Sequence, residues 1–266
     1  VSGFDFTGAS ALITGASAGI GREFARQLTG RASCVILVAR RLDRLEELRD
    51  QLTKSDPNLN VHVRAVDLSQ LNEVGELCAW LERERMAIDF LINNAGLGDR
   101  GSFATAEPQR IREMLAVNVV ALTELTRALL PAMIARKRGA ILNVSSSASF
   151  LPIGGLAVYA ATKAYVTSFS EAIRTELRGT GVVVTALCPG PVHTEFNLVA
   201  ARNPSRRDKS GPEAIHISAQ EVASAGLHAI EHGKPLVVPG VLMKIAMLLV
   251  RLTPMWVLRL VSRGSM

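Results

Sequence analysis

Ala9-Ser10-Ala11-Leu12-Ile13-Thr14-Gly15-Ala16-Ser17-Ala18-Gly19-Ile20-Gly21-Arg22 runs from a short apolar segment through three glycines into a stretch of helical pattern. The apolar part, 9–14, reads as a strand that ends at Thr14. Each glycine then answers a separate steric demand. Gly15 makes the tight turn off the strand, and Gly19 lets backbone approach a pyrophosphate with no Cβ in the way. Gly21 permits close packing of the helix on the strand, and the N–H groups at the helix N-terminus face the anion. Ser17 and Ile20 sit among these glycines and belong to the same expected phosphate-binding surface. The spacing is Gly-x-x-x-Gly-x-Gly, which differs from Gly-x-Gly-x-x-Gly.

Outward from this turn, further apolar runs occur at 34–39, 61–66, 90–92, 140–144, 182–187 and 236–238. They are rich in Val, Ile and Leu and, apart from His62 and Arg64 in 61–66, lack polar alternation, as strands covered on both faces do. Segments of helical period lie between them, among them 41–52, 71–85, 111–136 and 159–178. The alternation predicts an α/β fold: a single-domain, doubly wound, Rossmann-type parallel sheet of about seven strands with helices on both faces. Residues 1–240 form the expected dinucleotide-binding catalytic domain. They include a long loop, 195–218, containing Asn203-Pro204-Ser205 and Ser210-Gly211-Pro212, of the kind that serves as a lid or binding loop. Residues 241–266 form an apolar and basic helical tail.

Composition narrows the function. A chain of 266 residues suits one large α/β domain. The net charge of +6 is scattered, and aromatics make up only 5% of the chain. A nucleic-acid binder concentrates basic residues in a stripe interleaved with aromatics, so no nucleic-acid partner is expected. Cys34, Cys78 and Cys188 form no CxxC pair. Cys34 and Cys188 lie in apolar runs expected to be buried. With no signal-peptide pattern at the N-terminus, a reducing, cytoplasmic setting is expected.

Cofactor choice is read at the end of the second strand. A carboxylate there holds the ribose 2′-hydroxyl of NAD, whereas arginine accommodates the 2′-phosphate of NADP. Here Val38-Ala39 leads into Arg40-Arg41, which favours NADP(H) over NAD(H), because guanidinium forms bidentate bonds with phosphate. The competing reading makes the two arginines merely the start of a charged helix. Further on, Tyr159 and Lys163 stand four apart at the start of an amphipathic helix, so both project from one face. A phenol of pKa about 10 is a poor acid–base at neutral pH. A nearby ammonium is expected to lower that pKa and make Tyr159 a proton donor to a carbonyl or acceptor from an alcohol.

Thr14-Gly15-x-x-x-Gly19-x-Gly21, Asn93-Asn94-Ala95-Gly96, Asn118, Ser145-Ser146, Tyr159-x-x-x-Lys163 and Pro189-Gly190-Pro191-Val192-x-Thr194 occur in that order. Together they resemble the short-chain dehydrogenase/reductase family, in its compact single-domain branch, over about residues 6–240. The resemblance implies roles residue by residue. Ser146, thirteen positions before Tyr159 and favoured by the family spacing over Ser145 and Ser147, would hydrogen-bond the substrate oxygen. Lys163 would also bind the nicotinamide ribose hydroxyls, and Asn118 would support a water relay to that lysine. Asn94, Ala95 and Gly96 would line the adenine-ribose side, and Asp67 and Leu68 would contact adenine. Pro189, Gly190, Val192 and Thr194 would hold the nicotinamide and its carboxamide. The implied chemistry is carbonyl–alcohol interconversion by hydride transfer, in a homodimer or homotetramer.

An apolar ketone or aldehyde is the expected substrate, from Leu151, Pro152, Ile153, Leu156 and Phe196 near the site. A 3-oxoacyl-thioester reductase is the nearest rival, favoured by a basic loop of Arg202, Arg206, Arg207 and Lys209. A non-catalytic NADP-binding sensor is the rival outside catalysis, and the presence of both Tyr159 and Lys163 stands against it. His228 and His232 are spaced as two metal ligands on a helix face, but the sequence offers no evident third, and no metal is expected. His193 sits beside the nicotinamide loop, as an exposed loop residue or as a contact to substrate or cofactor. The tail carries Lys244, Arg251, Arg259 and Arg263 among apolar residues, with Pro254 expected to kink or split the helix. It reads as a cap on the protein's own pocket, an oligomer contact, or a peripheral membrane helix rather than a span.

Overall fold

Residues 3–202 and 216–254 are described by a computed structural model. Every apolar run becomes a strand: β1 (Ser10–Thr14), β2 (Cys34–Ala39), β3 (Asn60–Ala65), β4 (Phe90–Asn93), β5 (Gly139–Val144), β6 (Val182–Leu187) and β7 (Leu236–Val237). These pair in parallel as one sheet in the order β3-β2-β1-β4-β5-β6-β7. The order reverses between β1 and β4. That switch point opens a crevice at the carboxyl ends of the two strands, where ligands bind in sheets of this kind.

The helices are α1 (Gly19–Leu28), α2 (Leu42–Ser55), α3 (Leu71–Arg83), α4 (Pro108–Leu115), α5 (Leu122–Ala135), α6 (Ala157–Glu176), α7 (Phe196–Ala200), α8 (Ala219–Glu231) and α9 (Val241–Leu252). Alternation along β1 sends its side chains to two separate cores. Ala11 and Ile13 pack with Phe24 and Leu28 of α1, Leu45 of α2 and Leu227 of α8. Leu12 packs on the other face with Leu77 and Trp80 of α3, Leu125 of α5 and Ile173 of α6. With helices on both faces, neither side of a central strand needs polar residues.

One expected element differs. The helix read at 111–136 is three pieces: α4, a π-helical turn Ala116–Ala121, and α5. A π-turn inserts an extra residue, which no hydrophobic period reveals, and such turns gather at functional sites. This one carries Asn118. By length and hydropathy the continuous stretch Pro108–Ala135 is also long and apolar enough to cross a bilayer. Its Val117, Ala121 and Leu125 instead pack in the second core, so it serves as a core helix.

The switch point is joined by one hydroxyl. Thr14 Oγ1 donates to the Ile92 carbonyl at 3.2 Å and accepts the N–H groups of Asn94 and Ala95, each at 3.0 Å. Asn94 Nδ2 returns a bond of 2.9 Å to the Thr14 carbonyl. Replacing Thr14 with the isosteric Val leaves two backbone donors without their acceptor. Thr14→Val is therefore expected to cost about 2–4 kcal/mol in denaturant unfolding. A variant as stable as wild type would show that this joint is dispensable.

Candidate active site

A cleft of about 700 Å³ lies over the carboxyl ends of the strands. Its lining contains Gly15, Ser17, Gly19, Ile20, Arg40, Arg41, Asp67, Leu68, Asn94, Ala95 and Gly96 from the expected cofactor set. Ser146, Tyr159, Lys163, Pro189, Gly190, Val192 and Thr194 complete it. Two expected residues, Gly21 and Asn118, stand behind it. A Cβ on Gly21 would meet the Gly15 carbonyl oxygen at 2.4 Å, so Gly21 serves the close approach of α1 rather than a ligand contact. Gly15 and Gly19 have φ of +66° and +54°, a backbone region that side-chain-bearing residues rarely adopt.

These residues fit a dinucleotide phosphate. Helix α1 has Ala18 at its N-cap with no side-chain cap and no acidic residue in its first turn, so its N-terminus faces the cleft as an uncompensated positive end. At the end of β2 three guanidiniums gather. Arg41 bonds Ser17 Oγ at 3.2 Å and Glu195 at 2.9 Å, while Arg44 grips Glu195 through both carboxylate oxygens at 2.7 and 2.9 Å. Those bonds hold the Glu195 carboxyl below the usual range, Arg44 contributing most. Arg44 was not among the residues singled out from the sequence. Its place three after Arg41 on a helix was a usable signal, whereas nothing in the sequence linked Glu195 to either.

The three consecutive serines separate by their partners. Ser145 is buried, donates to the Lys163 carbonyl at 2.8 Å and lies 2.7 Å from Thr167 Oγ1, which ties the end of β5 to α6. Ser147 uses its N–H on the Pro189 carbonyl at 2.8 Å. Ser146 lines the cleft together with Tyr159 and accepts the Ala148 N–H at 3.1 Å. Asn118 is 1% exposed. It makes a two-bond ring with the Leu97 backbone, accepting at 2.8 Å and donating at 2.9 Å, and donates to Thr162 Oγ1 at 3.0 Å. It thus locks the segment after β4 to α6.

The expected lowering of the Tyr159 pKa is not what the geometry yields. Burial raises it, and the nearby Ser146 hydroxyl only opposes that rise. Lys163 Nζ lies 5.8 Å from the ring centroid of Tyr159 and is directed to the Val144 carbonyl at 2.8 Å. Burial lowers the lysine itself from 10.5 to about 8. Desolvation thus outweighs the ammonium's pull on the phenol.

Other expectations also sort themselves. Ile153, Leu156 and Phe196 line the cleft, with the Phe196 ring 5.6 Å from that of Tyr159, whereas Leu151 and Pro152 are not part of the lining. Arg202, read as part of a basic loop, is bound to Asp99 by bonds of 2.8 and 2.5 Å and holds that carboxyl low. Arg206, Arg207 and Lys209 lie outside the described residues, as do Asn203-Pro204-Ser205 and Ser210-Gly211-Pro212, and Arg259 and Arg263 of the tail. His193 is exposed and packs on His216, with ring centroids 4.6 Å apart. His228 and His232 have Glu231 beside them after all, with one potential ligand atom from each within 4.8 Å of the others. That carboxylate is already paired with Arg31.

The sheet order and this cleft define an α/β oxidoreductase built around a dinucleotide site. Residues 9–204 match the short chain dehydrogenase family, and the chain belongs to it. It is 36% identical over 217 residues to an NADP-dependent 3-hydroxy acid dehydrogenase of Escherichia coli (strain K12), covering 80% of this chain and 86% of that one. A sulfoacetaldehyde reductase of Chromohalobacter salexigens is 36% identical over 226 residues, covering 79% and 83%. Among solved structures, a short-chain dehydrogenase from Sphingobium yanoikuyae in complex with NADPH superposes with a TM-score of 0.79, at 29% identity over 88% of each chain.

The lysine's burial makes a test. Its pKa lies below 10.5 in the folded state, so folding disfavours the charged form, by about 3 kcal/mol at neutral pH. The unfolded chain binds more protons between about pH 8 and 10.5, and this group therefore adds stability as pH rises through that window. In Lys163→Met the dependence disappears. The stability difference between variant and wild type is expected to change by about 2 kcal/mol, in the wild type's favour, from pH 7 to pH 9.5 in denaturant titrations. A constant difference would mean that Lys163 is not desolvated.

Proposed function

We propose that this protein is an NADP(H)-dependent reductase of small or medium apolar ketones or aldehydes in which Tyr159 moves the proton. The observation that carries the proposal is the meeting of Tyr159 and Ser146 in one cleft whose rim near them is apolar: Ile153, Leu156 and Phe196. A bound nicotinamide cofactor supplies hydride to the carbonyl carbon, or takes it from the carbinol carbon. In the reducing direction the Tyr159 phenol donates its proton to the carbonyl oxygen. Its raised pKa keeps it in the donating form at neutral pH. The Ser146 hydroxyl donates a second hydrogen bond to the same oxygen as negative charge builds there. Lys163 holds its ammonium behind the phenol, where it favours the phenolate left after transfer. Asn118, through Leu97 and Thr162, keeps the wall of the cleft in register with α6. The oxidising direction reverses each step and needs the phenolate, so it gains as pH rises.

Preference for NADP(H) is supported by Arg40, Arg41 and Arg44 and by the lack of a carboxylate directly after β2. Arg41 and Arg44 already hold one anion, the Glu195 carboxylate, in the way a 2′-phosphate would be held. The NADP dependence of the Escherichia coli relative and the NADPH in the Sphingobium structure point in the same direction. Of the basic residues that favour a thioester carried on an acidic handle, Arg202 is committed to Asp99, which leaves that second reading to Arg206, Arg207 and Lys209.

The deciding measurement is oxidation of NADPH and NADH against ketones, aldehydes and 3-oxoacyl thioesters, with Tyr159→Phe as control. Turnover with NADPH on apolar carbonyls is expected. Loss of the phenolic proton should lower it by a factor of about 10²–10⁴. Faster turnover with NADH would overturn the reading of the arginines, and an active Tyr159→Phe enzyme would overturn the assignment of the proton.

A further inference from the structure

We propose that α9 docks this protein on an anionic lipid surface, with its outer apolar face bedded among acyl chains next to the cleft. The helix is apolar on two sides, and among the described residues only one side is packed against the rest of the protein. Met243 and Met247 are buried, Met243 against Gly190, a residue of the cleft lining. The helix also packs on the 3-10 turn Ser147–Phe150, where the Arg251 guanidinium lies 5.8 Å from the ring centroid of Phe150. On the other side Val241, Leu242, Ile245, Leu248, Leu249 and Leu252 are each between 51% and 78% exposed. At 3.6 residues per turn these six fall within an arc of about 120°, and Lys244 and Arg251, seven apart, stand together on its border. A contiguous apolar stripe of this kind marks a surface with a partner.

Charge selects the partner. From 241 to 266 the sequence contains Lys244, Arg251, Arg259 and Arg263 and not one Asp or Glu. Two copies of the helix laid face to face would bring like charges together with no carboxylate of the segment to meet them. An anionic headgroup layer neutralises these charges instead. The long stems of Lys244 and Arg251 let the ammonium and guanidinium reach that layer while neighbouring leucines enter the hydrocarbon. The pairing of an apolar stripe with a cationic border is that of a helix lying in the interface plane. Because the inner face of α9 is packed on the wall of the cleft, docking brings the cleft to the lipid surface. An apolar carbonyl dissolved in the bilayer then reaches the site without crossing bulk water. This last step rests on the reductase reading above, whereas the docking does not.

The test uses the whole 266-residue chain and no carbonyl substrate, so its failure is separate from failure of the reductase assay. Co-sedimentation is measured with vesicles of phosphatidylcholine alone and of phosphatidylcholine with phosphatidylglycerol. Binding to the anionic vesicles, weakened by salt and absent on the neutral ones, is expected. Lys244→Gln with Arg251→Gln should weaken it about 30-fold, and Ile245→Glu with Leu249→Glu should abolish it. NADPH binding in solution should be retained by both pairs, as evidence that they fold. Wild-type protein that stays in the supernatant with both vesicles would overturn the proposal, as would binding indifferent to Ile245→Glu and Leu249→Glu. So would a lipid-free oligomer, split by the same pair in sedimentation velocity, that binds no vesicle; the face would then belong to a second copy.

Discussion

Three hydrogen bonds converge on the hydroxyl of Thr14, and the geometry of the cleft depends on where they hold the chain. A parallel sheet that reverses its winding leaves two strands, β1 and β4, whose following segments diverge to opposite faces. Without a tie, those segments would be free to splay. Thr14 closes the gap by serving the Ile92 carbonyl and the N–H groups of Asn94 and Ala95 at once. Asn94 answers by donating to the carbonyls of Thr14 and Gly15, at 2.9 and 3.3 Å. The glycine turn that opens α1 is thereby pinned to the loop that leads to Asn118. Gly15 has no room for a side chain because Asn94 Nδ2 would stand 2.8 Å from its Cβ. A turn shaped to receive phosphate and a loop shaped to flank it are thus one hydrogen-bonded unit.

Deeper in, buried polar side chains bind the sheet to the helices on one face. Asn93 Nδ2 reaches both Thr126 Oγ1 and Asn143 Oδ1, at 3.1 and 2.9 Å, and Asn143 donates on to Ser170 Oγ at 2.9 Å. Breaking such a network costs more than a surface bond, because the groups left behind have no water to turn to. Desolvation also bears on the charge state of half-buried Tyr159 and buried Lys163. The same burial that raises the phenol of Tyr159 lowers the ammonium of Lys163, so the two groups are driven toward their neutral forms together. At neutral pH the phenol is the resting form and the lysine remains charged. That combination suits an acid that must give up its proton only when an adjacent oxygen demands it.

Elements were legible where hydrophobic period and glycine chemistry agree. All seven strands lie within a residue or so of the runs read from the sequence; the inner strands are mostly apolar because both faces are covered, whereas β3, at the sheet edge, alternates Val61 and Val63 with His62 and Arg64. Tyr159 and Lys163 were legible through their spacing on one helix face. The π-turn at Asn118 was not, since an inserted residue leaves the apolar pattern nearly unchanged. The environment of the tyrosine was misjudged for a related reason. Sequence spacing predicts that two side chains share a face but carries no measure of desolvation, and here desolvation is the larger effect. Arg202 shows the same limit: its charge was visible, and its commitment to Asp99, over a hundred positions away, was not.

Helix α6 explains why so much chemistry gathers in one place. Along its length Thr162 receives Asn118, the Lys163 carbonyl receives Ser145, Lys163 Nζ holds the Val144 carbonyl, and Ser170 receives Asn143. Further on, Arg174 donates to the carbonyls of Val184 and Gly233. The helix cannot slide by one residue without breaking contacts to β5, β6 and the π-turn together. Tyr159 and Lys163 therefore inherit their positions from bonds made by their neighbours. The residues that would meet a substrate are held differently. Phe196 belongs to the five-residue helix α7, followed by Arg202, whose bonds to Asp99 fasten that segment to the loop after β4. Ile153 and Leu156 lie between a single 3-10 turn and the start of α6. Substitution at these rim positions changes shape without disturbing the α6 ties. The fold thus separates the wall that carries Tyr159 and Lys163, fixed by many buried bonds, from an apolar rim fixed by few.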